Sequence, residues 1–127
     1  MSFTGKYQLE SSENYEAFMK AVGISDENIQ LTKGLKSITE MEENGDNFKV
    51  TVTTGSHVII NSFTIGQETE MLSVTGEKIK TVVKKEGTKL MMSLKRADIV
   101  TELVDGNTLV TTMTLGDIVY KTTYKRI

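Results

Sequence analysis

Along most of the chain, apolar and polar side chains alternate in short runs. The segments "FKVTVTT", "HVIINSFT", "KIKTVVKK", "TLVTTMTL" and "IVYKTTYK" are rich in Val, Ile, Thr and Met. Runs of about seven such residues, each ending at a turn signal, mark β-strands with one covered face. The turn signals are glycines at Gly45, Gly55, Gly66, Gly76, Gly87, Gly106 and Gly116. The missing beat falls at "KRADI", where Ala97 and Asp98 can turn without glycine. Strands of this length with tight turns predict an antiparallel meander in which each strand pairs with the next.

Ahead of the meander the period changes. "ENYEAFMKAVG" sets Tyr15, Phe18, Met19 and Val22 at helical spacing and closes on Gly23 as a C-cap. "SDENIQLTKG" offers Ser25 as N-cap, Asp26 and Glu27 in the first turn, and Gly34 as terminator. The expectation is one N-terminal strand, "GKYQLES", a pair of short helices, and then the meander, about ten strands in all. An open meander would expose both edges to pairing with other chains, so the predicted fold class is mostly β: an up-and-down barrel with two short helices after its first strand.

In a barrel every second side chain points inward. Taking the large apolar residue of each strand as inward gives Val50, Val52 and Thr54, then Ile59, Asn61 and Phe63, then Leu72 and Val74, then Ile79, Thr81 and Val83. The later strands add Met92 and Leu94, Ile99 and Thr101, Leu109, Thr111 and Met113, and finally Tyr120, Thr122 and Tyr124. Hydroxyls and an amide stand among aliphatics, and a close-packed core would leave many of those polar atoms without partners. One reading is a solvent-filled cavity with part-apolar, part-hydrogen-bonding walls, suited to an amphipathic ligand. The other is a packed core in which strand threonines bond neighbouring backbone.

Composition narrows the function. A chain of 127 residues is expected to form one domain, residues 1–127. The net charge is −2, with Lys and Glu scattered and no basic stripe, which argues against nucleic acid. Cysteine is absent and there is one histidine, so thiolate catalysis, disulfides and a catalytic metal are not expected. His57, in a turn, has no nucleophile or ligand set around it. No nucleotide-binding, zincin or nucleophile-elbow motif is present, and no cofactor is expected. The opening "MSFTGKYQLE" lacks a basic and apolar leader pattern, so a soluble cytoplasmic protein is the expectation.

"GKYQLESSENYEAFM" carries Gly5, Tyr7, Leu9, Asn14, Tyr15, Glu16, Phe18 and Met19 in a pattern that resembles the signature of the intracellular fatty-acid-binding proteins. "GEKIKTVV", "MTLGDIVYK" and the terminal "KRI" are similar to the liver-type branch, while "FTGKYQLESSENYEAFMK" and "NSFTIGQE" are equally close to its bile-acid-binding relatives. The resemblance covers essentially the whole chain. It implies a ten-stranded β-clam whose helix pair forms the ligand entrance, and a non-catalytic carrier of long-chain fatty acids or related amphipaths, with bile acids as the alternative. A lipid-modifying enzyme using Tyr124 or His57 is a further alternative. The implied protein is a monomer, and its lid can touch membrane surfaces transiently.

The departures are as informative. Many members hold the ligand carboxylate with Arg-x-Tyr on the last strand, and the liver branch shows Arg-x-Ser, whereas this chain reads Thr122, Thr123, Tyr124. Two further polar positions of the liver branch fall on Thr39 and Thr111. Hydroxyls remain and the internal cation does not. A buried unpaired carboxylate costs several kcal/mol or takes up a proton. Burial of the alkyl chain, at about 0.8 kcal/mol per CH₂, can still sustain micromolar binding. The expected ligand contacts are Phe18 from the lid, Thr39, Val50, Val52, Ile59, Asn61, Phe63, Leu72, Val74, Thr81, Met92, Thr101, Leu109, Thr111, Met113, Tyr120, Thr122 and Tyr124. Phe18, Met19, Val22, Ile29 and Leu31 are candidates for the lid's underside, with Lys20, Lys33 and Lys36 near it. Met71, Met92 and Met113 are candidates for an adaptable wall.

Overall fold

The computed structural model describes residues 3–72, 78–93 and 97–127. The chain runs β1 (Gly5–Glu13), α1 (Tyr15–Ala21), α2 (Asp26–Thr32), β2 (Ile38–Asn44), β3 (Asn47–Thr54), β4 (His57–Thr64), β5 (Glu68–Leu72) and β6 (Lys78–Val82). It continues with β7 (Lys84–Glu86), β8 (Lys89–Ser93), β9 (Asp98–Leu103), β10 (Thr108–Leu115) and β11 (Ile118–Arg126). This is the expected meander, with one refinement of the strand count. β6 and β7 are one extended run interrupted at Val83, where the pairing partner changes from β5 to β8.

All ladders are antiparallel. A nine-stranded sheet has the order β4-β3-β2-β1-β11-β10-β9-β8-β7, and β5-β6 form a separate two-stranded sheet. Sequence order is kept because the turns are short. At Gly45, Gly55, Gly87 and Gly116 the glycine is the first of two turn residues. These glycines have φ between 58° and 64°. Positive φ at the first central position alone is the type II′ hairpin, whose twist matches the strands it joins. An L side chain at Gly116 would be strained by about 1 kcal/mol or more.

Among the described residues, β4 and β5 are neighbours without a ladder between them, so main-chain bonding does not run continuously from β4 to β5. Side chains and turns draw the ends together. Lys85 of β7 meets Glu43 of β2 at 2.7 Å, and the Phe3 N–H donates to the same carboxylate at 2.9 Å. The Lys85 ammonium also lies 6.0 and 5.9 Å from the Phe3 and Phe48 ring centres. The Gly66 N–H donates to Val83 O at 2.9 Å, tying the β4–β5 turn to the β6–β7 break. An outer cleft of about 370 Å³, lined by Glu42, Lys49, Ser62 and Thr69 among others, opens where β4 and β5 part.

One end of the barrel is packed solid. Phe3, Tyr7, Met41, Phe48, Phe63, Met71, Val83, Leu90, Leu103 and Leu109 form a single buried cluster, the floor. Phe48 and Phe63 stack at 5.3 Å, and Phe3 meets Phe48 edge-on at 5.9 Å. Each such side chain contributes roughly 1.5–3 kcal/mol through burial. Arg126 fastens this end by donating from Nε to Gly106 O (2.9 Å), from Nη1 to Thr4 O (2.7 Å) and from Nη2 to the Tyr7 hydroxyl (2.9 Å). Gly5, at φ 151°, leaves the room: a Cβ there would overlap the Arg126 guanidinium. Burial pushes the Tyr7 phenol pKa up, although neighbouring Arg126 opposes the shift.

The helices cover the other end. α1 closes on Gly23 as expected: Ile24 N–H bonds Met19 O and Gly23 N–H bonds Lys20 O, with Gly23 at φ 95°. These are the two bonds of a Schellman cap. Ser25 caps α2 through its hydroxyl, which accepts from Asn28 N–H at 3.3 Å. Gly34 does not act as a left-handed terminator. α2 ends on Lys33, itself right-handed and bonded to Ile29 O, and Gly34 has no positive φ. Lys33–Glu16 and Lys20–Asp26 ion pairs join the two helices.

Candidate ligand-binding site

The inward side chains follow one gradient from floor to lid. On β3 the floor residue Phe48 is buried while Val50 and Val52 are half-buried, and on β4 Phe63 is buried while Asn61 and Ile59 are half-buried. β8 repeats this with Leu90 then Met92, β9 with Leu103 then Thr101 and Ile99, and β10 with Leu109 then Thr111 and Met113. The registers align these residues level by level. Val52 faces Ile59, Val50 faces Asn61, Thr101 faces Thr111, and Ile99 faces Met113. An interior packed throughout would bury all of them. Above the floor, the inner surface instead remains partly accessible.

A second buried cluster roofs this surface. Phe18, Met19 and Ile29 of the helices pack with Tyr120 of β11. Phe18 stacks on Tyr120 at 5.1 Å, and Tyr15 meets the same ring edge-on at 5.7 Å. Burial pushes the Tyr120 phenol well above its ordinary pKa. Leu31 does not belong to the underside, because it is 67% exposed. Two residues beyond buried Ile29, it lies about 200° round the helix. Leu35 reaches the β3–β4 turn, within 3.1 Å of where a Gly55 Cβ would stand, and His57 at the start of β4 is exposed.

Between roof and floor runs a band of hydroxyls. Register pairing sets Thr101 of β9 beside Thr111 of β10 and Thr111 beside Thr122 of β11. Thr101 and Thr111 share a hydrogen bond of 3.2 Å, and the Thr122 hydroxyl donates to Thr111 O at 3.3 Å. The Tyr124 phenol lies beside the hydroxyls of Thr39 on β2 and Thr122. Burial pushes the Tyr124 pKa up, and the neighbouring Thr39 and Thr122 hydroxyls counter it in part. The phenol stays neutral at physiological pH and both donates and accepts.

The expected site residues therefore fall into distinct places. Val50, Val52, Ile59, Asn61, Met92, Thr101, Thr111, Met113 and Tyr124 lie on the partly accessible inner surface. Thr39 and Thr122 are buried at its hydroxyl band. Phe63 and Leu109 belong to the floor, while Phe18 and Tyr120 belong to the roof. Thr81 is buried, and its hydroxyl donates to Ser93 O at 2.7 Å, linking β6 to the end of β8. The Leu72 side chain, Val74 and Leu94 lie outside the described residues. On β5 it is Met71 that enters the floor cluster.

The profile of the lipocalin / cytosolic fatty-acid binding protein family matches residues 1–127, and the chain belongs to that family. The liver-type fatty acid-binding protein of Epinephelus coioides is 62% identical over 127 residues, covering 100% of both chains. Zebrafish ileal bile acid-binding protein complexed with cholic acid is 38% identical with a TM-score of 0.86, covering 98% of each chain. Schistosoma mansoni fatty acid binding protein in complex with arachidonic acid is 29% identical with a TM-score of 0.88, covering 98% of this chain and 96% of that one.

Proposed function

We propose that this protein is a non-catalytic, cytoplasmic, monomeric carrier, built as one domain, that binds long-chain fatty acids and related amphipaths between its floor and its helical lid. The observation that carries this reading is the burial gradient: inward residues are packed at one end and partly accessible above it, under a roof of Phe18, Met19 and Ile29. The ligand lies against Val50, Val52, Ile59, Met92 and Met113, with Thr39, Asn61, Thr101, Thr111, Thr122 and Tyr124 supplying hydrogen bonds. Exposed Leu31 and Leu35, with Lys20, Lys33 and Lys36 nearby, give the lid a surface for transient membrane contact during exchange.

A bile-acid carrier is the second reading, favoured by the likeness to the cholic acid complex. Native mass spectrometry of the purified protein with its co-purifying lipids, followed by oleate and cholate titrations in competition, separates the two. Stoichiometric binding of a ligand recovered chemically unchanged is the expected result. Turnover of an acyl ester that disappears in a Tyr124→Phe variant would replace the carrier reading with an enzymatic one.

A further inference from the structure

We infer that the hydroxyl band is a site for an uncharged hydrogen-bonding lipid headgroup, that of a fatty alcohol or monoacylglycerol, and that it rejects an ionised carboxylate. The inference rests on the carrier reading and narrows its ligand class.

The band sits low in the interior. Leu103 and Leu109 of the floor lie just beneath Thr101 and Thr111, and Ile99 and Met113 lie just above them. A lipid whose polar end reaches the band therefore keeps its chain against apolar walls on the lid side. Every side chain of the band is a neutral hydroxyl; Thr101 is already linked to the Thr111 hydroxyl and Thr122 to Thr111 O. A ligand hydroxyl can enter such a network as both donor and acceptor. A carboxylate only accepts, and it needs several donors and a compensating positive charge once removed from water.

No such charge stands at the band among the described residues. β10 presents Leu109, Thr111 and Met113 there, β9 presents Ile99, Thr101 and Leu103, and β2 presents Thr39 and Met41. Arg126 shares the inward parity of β11 but spends its donors beneath, on Gly106 O, Thr4 O and the Tyr7 hydroxyl. The remaining titratable groups around the band are Tyr124 itself, Tyr120 and Tyr15 above, and Tyr7 with the paired Glu43 and Lys85 at the floor. The environment that disfavours the Tyr124 phenolate disfavours a ligand anion for the same reason.

The test uses the wild-type protein with oleate, oleyl alcohol and 1-oleoylglycerol, which share one chain length, in calorimetric titrations at neutral pH. Both neutral lipids bind at least as tightly as oleate. The Tyr124→Phe variant weakens them roughly fivefold, as expected for one lost hydrogen bond, and weakens oleate less. Carboxyl-labelled oleate followed by NMR in the wild type gives an independent reading that needs no variant. Its carboxyl either titrates as in solvent, outside the band, or has a raised pKa inside it. A bound carboxyl with a depressed pKa, or oleate binding weakened as much as the neutral lipids by Tyr124→Phe, overturns the inference. Binding of oleate alone overturns it while leaving the carrier reading intact. Binding of none of the three removes both.

Discussion

Arg126 is the sharpest place to perturb the fold. Replacing it with Met preserves much of the stem volume and removes three hydrogen bonds, two part-buried and one exposed. The guanidinium also lies 4.9 Å from the Tyr7 ring centre. Charged hydrogen bonds contribute about 1.5–3 kcal/mol each when sheltered. Taking about 1.5 for each part-buried bond and about 0.5 for the exposed one gives a loss of about 3–4 kcal/mol. With a urea m-value of about 2 kcal/mol/M for a protein of this size, the unfolding midpoint falls by about 1.5–2 M. Arg126→Lys recovers less than half of this, because one ammonium cannot span three divergent acceptors. Ligand affinity in the folded variant stays unchanged, since the contacts lie beneath the floor. Equilibrium urea denaturation followed by circular dichroism measures the shift. A loss under about 1 kcal/mol, or a Lys variant as stable as the parent, would refute the assignment of Arg126 as a three-way tie.

Other consequences are as direct. Phe18→Ala removes the ring stacked on Tyr120 and costs about 3–4 kcal/mol within the roof cluster, which hydrogen exchange reads as faster opening of α1 and α2 ahead of the strands. The Asp105 carboxylate accepts from Asn107 N–H and the Thr108 hydroxyl, and these bonds hold its pKa below the ordinary value. Its contribution to stability is thus full above its unfolded-state pKa and is lost as pH falls through the depressed folded value. The stability advantage over Asp105→Asn accordingly shrinks between about pH 5 and pH 2 in acid titrations. Tyr120 and Tyr124 have raised pKa values, so the stability they confer by staying neutral is present below the unfolded phenol pKa and lost above it. Ultraviolet absorbance therefore shows both phenols ionising only at pH values above about 10, or together with alkaline unfolding.

Much of the architecture was legible because strand period and turn glycines are local signals. The Gly23 cap, the Ser25 cap and the hairpin glycines each act within a few residues, and the structure uses them where the pattern placed them. Inward parity was equally readable on β3, β4, β9, β10 and β11, where a single choice of face orders the entire strand. What failed was either a fine angular matter or a long-range one. Leu31 follows the apolar composition of α2 but not its buried face. The Glu43–Lys85 pair joins residues 42 positions apart, and the Arg126 bonds span up to 122, so no window along the chain displays them. The change of partner at Val83, from β5 to β8, depends on long-range pairing that residue type alone does not encode. The hydroxyl band was visible residue by residue, but its linkage into a neutral network depends on register.

The missing ladder between β4 and β5 has a mechanical consequence. Among the described residues, a wall already parted along one seam can spread there with no ladder to unzip, whereas widening it within the nine-stranded sheet would have to part paired strands. Girth in a cargo is thus met by repacking side chains along one line, and the remainder of the shell keeps its shape.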